Sequence, residues 1–177
     1  MSVILLADDS PHAQRMGQRI LAEEGHQVEC FSEGNAAVLR LPEVDPDVVI
    51  ADAHLPGLSG IELCRYVKSS RRYARVILTA GSLEELDEAA AKRAGCDAIL
   101  RKPFEASVMA EALAPLLAAA RKDRQLISMA AAATANAPSV AAQPPDDIRA
   151  AVERAVEREL PRLLDELTQR VLLALGH

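Results

Sequence analysis

Apolar residues fall along this chain in two alternating textures. Short, nearly continuous hydrophobic runs, VILLA (3–7), QVECF (27–31), DVVIA (47–51), RVILT (75–79) and AIL (98–100), are separated by longer stretches with helical spacing. The first, third and fourth runs are almost wholly apolar, as strands covered on both faces are. The stretches between them have recognisable starts. Ser10-Pro11 pairs an N-cap residue with a proline at the first helical position. Ser59 with Glu62, and Ser82 with Glu85, both match the capping box. Glycines at 25 and 95 fall where a helix should stop before the next strand. Strand and helix alternate five times, ending in a helix from about Glu105 to Arg121. The pattern predicts an α/β fold, a doubly wound five-stranded parallel sheet.

The texture changes after Leu126. MAAAATANAPSVAAQPP (129–145) is Ala, Pro and small polar residues without hydrophobic periodicity, and reads as a flexible tether. Beyond it the chain is amphipathic again: Ile148, Val152, Ala155, Val156, Leu160, Leu163, Leu164, Leu167, Val171 and Leu175 follow helical spacing. Pro161 interrupts that stripe and predicts a kink or a second helix start. The expected organisation is a domain over 1–125, an Ala/Pro-rich linker over 126–146 and a helical tail over 147–177.

Composition narrows the function. Half of the 177 residues are hydrophobic but only 2% are aromatic, so aliphatic side chains must fill the core and base-stacking platforms are not expected. A net charge of −6 repels phosphate backbones, so no nucleic-acid partner is expected. No basic-then-apolar signal pattern opens the chain and no run reaches transmembrane length, which predicts no membrane insertion. Cys30, Cys64 and Cys96 are odd in number and form no CxxC pair, fitting a reducing compartment; the expected location is cytoplasmic. The tail is too short and too acidic for a DNA-binding output domain and lacks the basic face of a membrane-surface helix. Its apolar stripe calls for self-association, another protein or its own neighbouring domain, the plainer reading being a frayed tail.

In a parallel sheet the C-terminal ends of all strands emerge on one edge, and ligands bind in the crevice there. The first strand leads into Asp8-Asp9, the third into Asp52, the fourth ends at Thr79 and the fifth runs into Lys102-Pro103. Acids gathered so closely repel one another and call for a cation, and oxygen ligands with room for water suit Mg²⁺. Each residue alone has a plainer reading: Asp52 as a turn or cap acid, Lys102 as a solvated charge, Thr79 as an ordinary strand residue. Four such sites in order at matching strand ends favour the pocket.

With the acidic pair Asp8-Asp9, the run DAHLPGLSG (52–60), Thr79-Ala80 and KPF (102–104), the chain resembles a response-regulator receiver domain, the phosphoacceptor module of two-component signalling, over about residues 2 to 121. The resemblance implies the flavodoxin-like strand order 2-1-3-4-5. It makes Asp52 the nucleophile for a phosphoryl group carried on a histidine of a sensor kinase or histidine phosphotransfer protein. It assigns Mg²⁺ to Asp8, Asp9, Asp52 and the His54 backbone carbonyl, pairs Lys102 with the carboxylate and then the phosphoryl oxygens, and turns the Thr79 hydroxyl inward after transfer. It also implies a cis bond before Pro103. The side chain of His54, with no other histidine or cysteine at metal spacing, is read as tuning water access rather than as a ligand. Gly81 is the other position shaping that access, and Ala80 is small enough to leave the acyl phosphate open. Ile99 departs from the family, which usually has an aromatic residue there that swings inward; a β-branched side chain cannot sweep the same area.

Three functions follow: a phosphorylation-controlled module whose output is protein interaction through the tail; a phosphotransfer intermediate in a phosphorelay without output of its own; and a haloacid-dehalogenase-type hydrolase. The last needs an acid two residues after the nucleophile, where this chain has His54. At most, self-phosphorylation and autodephosphorylation of Asp52 are expected, not turnover of an external substrate.

Overall fold

A computed structural model describes residues 1–135. Five strands, β1 (Val3–Ala7), β2 (Gln27–Phe31), β3 (Val48–Asp52), β4 (Arg75–Gly81) and β5 (Ala98–Lys102), alternate with α1 (Pro11–Glu23), α2 (Gly34–Val44), α3 (Gly60–Ser70), α4 (Glu88–Arg93) and α5 (Ala106–Ala135). The sheet is parallel with order β2-β1-β3-β4-β5, the predicted topology.

Period-two alternation divides the core between two faces. Leu5, Ala7, Val49, Ala51, Val76 and Leu78 point toward α2, α3 and α4, where Leu41, Leu63, Cys64 and Val67 meet them. Ile4, Leu6, Val48, Ile50, Ile77 and Leu100 point the other way, onto Leu21 of α1 and Met109, Leu113 and Leu117 of α5. Those three α5 residues stand four apart, one helical face, and each buried side chain of this size contributes on the order of 1.5–3 kcal/mol.

The predicted starts at Ser10 and Ser59 are present. The Ser10 hydroxyl accepts from the Ala13 N–H at 3.4 Å, and Ser59 and Glu62 close a capping box. Gly25 and Gly95 adopt φ of 81° and 90° directly after α1 and α4, a conformation open to glycine. The Ser82–Glu85 capping box does not form. Ser82 instead donates its N–H to the Lys102 carbonyl, the chain turns through 82–87, and α4 starts only at Glu88, capped by Asp87, which accepts from the Ala90 N–H at 2.8 Å. β3 begins one residue later than predicted because the Asp47 carboxylate is taken by the Val3 N–H at 3.1 Å, and it ends on Asp52 itself.

The last helix corrects the predicted boundary at Arg121. α5 runs on to Ala135, so the start of the segment read as a linker is helical. Alanine is the strongest helix former, and a run of it needs no apolar stripe to stay helical. The continuation is also anchored. On the sheet edge formed by the strands' N-terminal ends, Arg124 donates to the Asp45 carboxylate and carbonyl, both at 2.6 Å, and lies 3.0 Å from Asp47. Its guanidinium stacks over the Tyr73 ring at 4.4 Å, and the Tyr73 hydroxyl donates to Asp45 in turn. Arg121 donates to the Ser2 hydroxyl at 2.9 Å, and Asp123 pairs with Arg75. The remainder of the predicted linker, the 147–177 helix and its break at Pro161 lie outside the described residues.

Replacing Arg124 with Ala should lower stability by about 1–2 kcal/mol, the scale of charge-assisted bonds on a partly exposed side chain, read as a lower denaturation midpoint. The same cluster sets an acid limb. Burial pushes the Asp45 carboxyl up, but hydrogen bonds from Tyr73 and Arg124 and the charges of Arg124 and Arg71 outweigh it and hold it below its ordinary 3.8. A depressed carboxyl stabilises the fold above its unfolded value and loses that contribution as pH falls through the folded one. The wild type should therefore lose stability on acidification through and below 3.8 more steeply than Asp45→Asn, as measured by denaturation at stepped pH. Asn tolerates the left-handed backbone that Asp45 adopts at φ 45°.

Candidate functional site

Asp8, Asp52, Thr79 and Lys102 come together because four parallel strands end on one edge. Asp52 lies directly opposite Thr79 in the β3–β4 register, and Gly81 opposite Lys102 in the β4–β5 register. Gly60, at the first turn of α3, lets that helix start close under the site: a Cβ there would lie 2.2 Å from the Asp52 carbonyl oxygen.

Both carboxylates are buried, Asp8 at 3% and Asp52 at 6% exposure, as is Thr79 at 2%. Such acids need partners, and one ammonium serves both. Lys102 Nζ lies 2.5 Å from Asp8 Oδ2 and also bonds Asp52 Oδ2. The remaining oxygens are met by backbone N–H groups: Ser10 donates to Asp8 Oδ1 at 2.9 Å and His54 to Asp52 Oδ1 at 2.7 Å. Burial alone would push the Lys102 ammonium toward deprotonation, but the hydrogen bonds and charges of Asp52 and Asp8 outweigh it and raise its value above 10.5. The peptide between Lys102 and Pro103 is cis. Asp9 stands at the lip, exposed, and among the described residues takes part in no ion pair.

The donor set suits a hard divalent cation. Two acidic oxygens already converge on the point held by one positive charge, and a third carboxylate, Asp9, follows directly in the chain. The Asp8–Lys102 contact is the link a metal would have to loosen.

Two residues that the sequence reading did not single out stand over the site. Glu84 Oε2 accepts from the Gly81 N–H at 2.5 Å and lies 3.4 Å from His54 Nδ1. Asp52, His54 and Glu84 each bring one ligand-type atom within 4.8 Å of the others, so the side chain of His54 does meet another donor here, an acid from a distant loop. Arg101 donates to the carbonyls of Glu84 at 2.9 Å and Gly81 at 3.3 Å and pairs with Glu88. The only signal for Glu84 in the sequence is an acid three residues after a strand-ending glycine. Ile99 is half-buried and packs against the α2–α3–α4 side of the core. A cleft of about 530 Å³ opens beside the cluster, bounded by His12, Met16, Leu83 and Phe104 as well as Asp8 and Lys102. No helix among the described residues is long and apolar enough to cross a membrane.

A parallel sheet with paired buried acids, a hydroxyl and a lysine at the carboxyl ends of its strands defines a class of α/β domain with an acidic pocket at that edge. Residues 4–114 match the response regulator receiver domain, and the chain belongs to that family, the receivers of two-component signalling. It is 30% identical over 123 residues to the sensory/regulatory protein RpfC of Xanthomonas campestris pv. campestris, covering 67% of this chain and 17% of that protein. It is 34% identical over 101 residues to the transcriptional regulatory protein TcrA of Mycobacterium tuberculosis, covering 57% of this chain and 40% of that one. The chain thus spans well under half the length of these relatives. The crystal structure of the receiver domain of a signal transduction histidine kinase from Syntrophus aciditrophicus superposes with a TM-score of 0.62 at 32% identity, covering 67% of this chain and 91% of that one.

Replacing Lys102 with Ala should destabilise the domain by about 3–5 kcal/mol, because two buried carboxylates lose their shared counter-charge. Adding Asp8→Asn in that background should recover part of the loss. A double-mutant denaturation cycle measures both.

Proposed function

We propose that this chain is a phosphoacceptor whose Asp52 takes a phosphoryl group from a phosphohistidine of a sensor kinase or histidine phosphotransfer protein. The observation that supports it best is the shared ammonium: Lys102 bridges Asp8 and Asp52, with Thr79 adjacent in register. A carboxylate oxygen of Asp52 attacks phosphorus in line; the O–P bond forms as the P–N bond breaks, and the leaving imidazole keeps its electron pair. The cleft beside Asp8 and Lys102 gives the donor imidazole an approach. Lys102 shifts from the carboxylates to the phosphoryl oxygens, the His54 N–H is freed to meet them, and Thr79 offers its hydroxyl from the next strand. Mg²⁺, held by Asp8, Asp9, Asp52 and the His54 carbonyl, supplies further neutralisation of phosphoryl charge when bound. Activity is confined to gain and loss of this one group.

Modification of Asp52 then biases one of two arrangements of the β4–α4 connection. Output is through protein interaction, with the apolar stripe of the 147–177 sequence as the docking or self-association element. Ile99, half-buried where the family usually carries an aromatic residue, favours a second reading, in which the chain is a phosphorelay intermediate without output of its own.

Acetyl phosphate with Mg²⁺ should add one phosphoryl group to the wild type by intact-mass measurement, and none to Asp52→Ala or after chelation of the metal. Thr79→Ala should still be labelled. Light scattering of the full chain and of one lacking 147–177, each with and without beryllofluoride, separates the two readings. A size change confined to the full chain supports output through the tail; rapid transfer back to a histidine domain with no size change supports the relay.

A further inference from the structure

The loop over the site carries an anion of its own. Glu84 reaches back over Gly81, where its Oε2 takes the backbone N–H at 2.5 Å, faces the imidazole of His54 at 3.4 Å, and shares with it and Asp52 a cluster 4.8 Å across. The Glu84 carboxylate therefore stands within 4.8 Å of an Asp52 oxygen, where added negative charge on Asp52 would be felt most strongly. The fit depends on residue 81 being glycine: a Cβ there would come within 2.8 Å of the Glu84 carboxyl carbon and 3.0 Å of Oε2. The backbone behind Glu84 is braced by Arg101, which holds its carbonyl and that of Gly81.

We infer that Glu84 is an internal competitor for the phosphoryl subsite, a positioning residue whose carboxylate occupies the Gly81 N–H and must leave when Asp52 is phosphorylated. The inference rests on Asp52 being the acceptor. A phosphoryl group there brings about two negative charges next to a third, and like charges at such separations repel appreciably even near solvent. The acid therefore slows loading of Asp52, and its departure releases the 82–87 turn from the His54 side of the pocket. This gives the connection a charge-driven trigger at a site where Ile99 stands in place of the sweeping aromatic ring.

Two variants weaken the competition by different means. Glu84→Gln keeps shape and removes charge; Gly81→Ala keeps the charge and evicts the side chain, whose flexible end yields without disturbing the strand. Both should raise the initial rate of Asp52 labelling by acetyl phosphate with Mg²⁺, and the affinity for beryllofluoride, by roughly fivefold at low ionic strength. Glu85→Gln, an exposed neighbouring acid, should stay near wild type and controls for general charge. In the unliganded protein, Glu84→Gln should shift the Gly81 amide resonance. A wild type that is not labelled at Asp52 defeats the acceptor assignment itself. A labelled wild type with unchanged Glu84→Gln and Gly81→Ala overturns the competitor role. Slower labelling with weaker Mg²⁺ binding in Glu84→Gln also overturns it, because Glu84 would then be a metal ligand.

Discussion

One ammonium between two buried carboxylates organises this molecule. Asp8 and Asp52 sit on neighbouring strands with almost no solvent to screen them, and without Lys102 their repulsion would act across the sheet edge. The strand order is what places these groups. β1 and β3 are adjacent, which brings the acids together, and β5 supplies the lysine from the far side of β4. The short β5–α5 connection then returns the chain to cover the face opposite α2–α4. Fold and candidate site thus share one electrostatic centre, two buried carboxylates held by a single ammonium.

What could be read from the sequence was what local chemistry dictates. VILLA, DVVIA and RVILT announce buried strands because nothing else explains runs so apolar, and Ser10 and Ser59 announce helix starts because a hydroxyl three residues from an orphan N–H has one obvious use. Asp52, Thr79 and Lys102 were legible because parallel topology sends strand ends to one edge. Ser82 misled because the same four-residue signature exists where its N–H is already claimed by Lys102. The alanine tract misled because absence of an apolar stripe was read as absence of a helix, although propensity alone carries alanine through.

Glu84, Arg101 and the Asp45–Tyr73–Arg124 cluster were out of reach for a different reason. Arg124 meets Asp45 across 79 positions and Arg101 meets the Glu84 carbonyl across 17, and nothing periodic ties Arg124 to Asp45 or Glu84 to His54. Such pairings depend on how connections close over the sheet, which hydrophobic pattern does not encode. Yet Glu84 and Arg101 stand over the site and the Arg124 cluster anchors the longest of the described helices, so family motifs leave what is particular to this chain to its loops.

The anchoring of α5 on the edge remote from Asp52 has a practical corollary. With Arg121 tied to Ser2, Asp123 to Arg75 and Arg124 to Asp45, the stretch around Lys122 turns with this domain rather than wagging on its own. A dye attached at that exposed position would report rotational diffusion of the entire body, which makes it a natural mounting point for anisotropy measurements of complex formation.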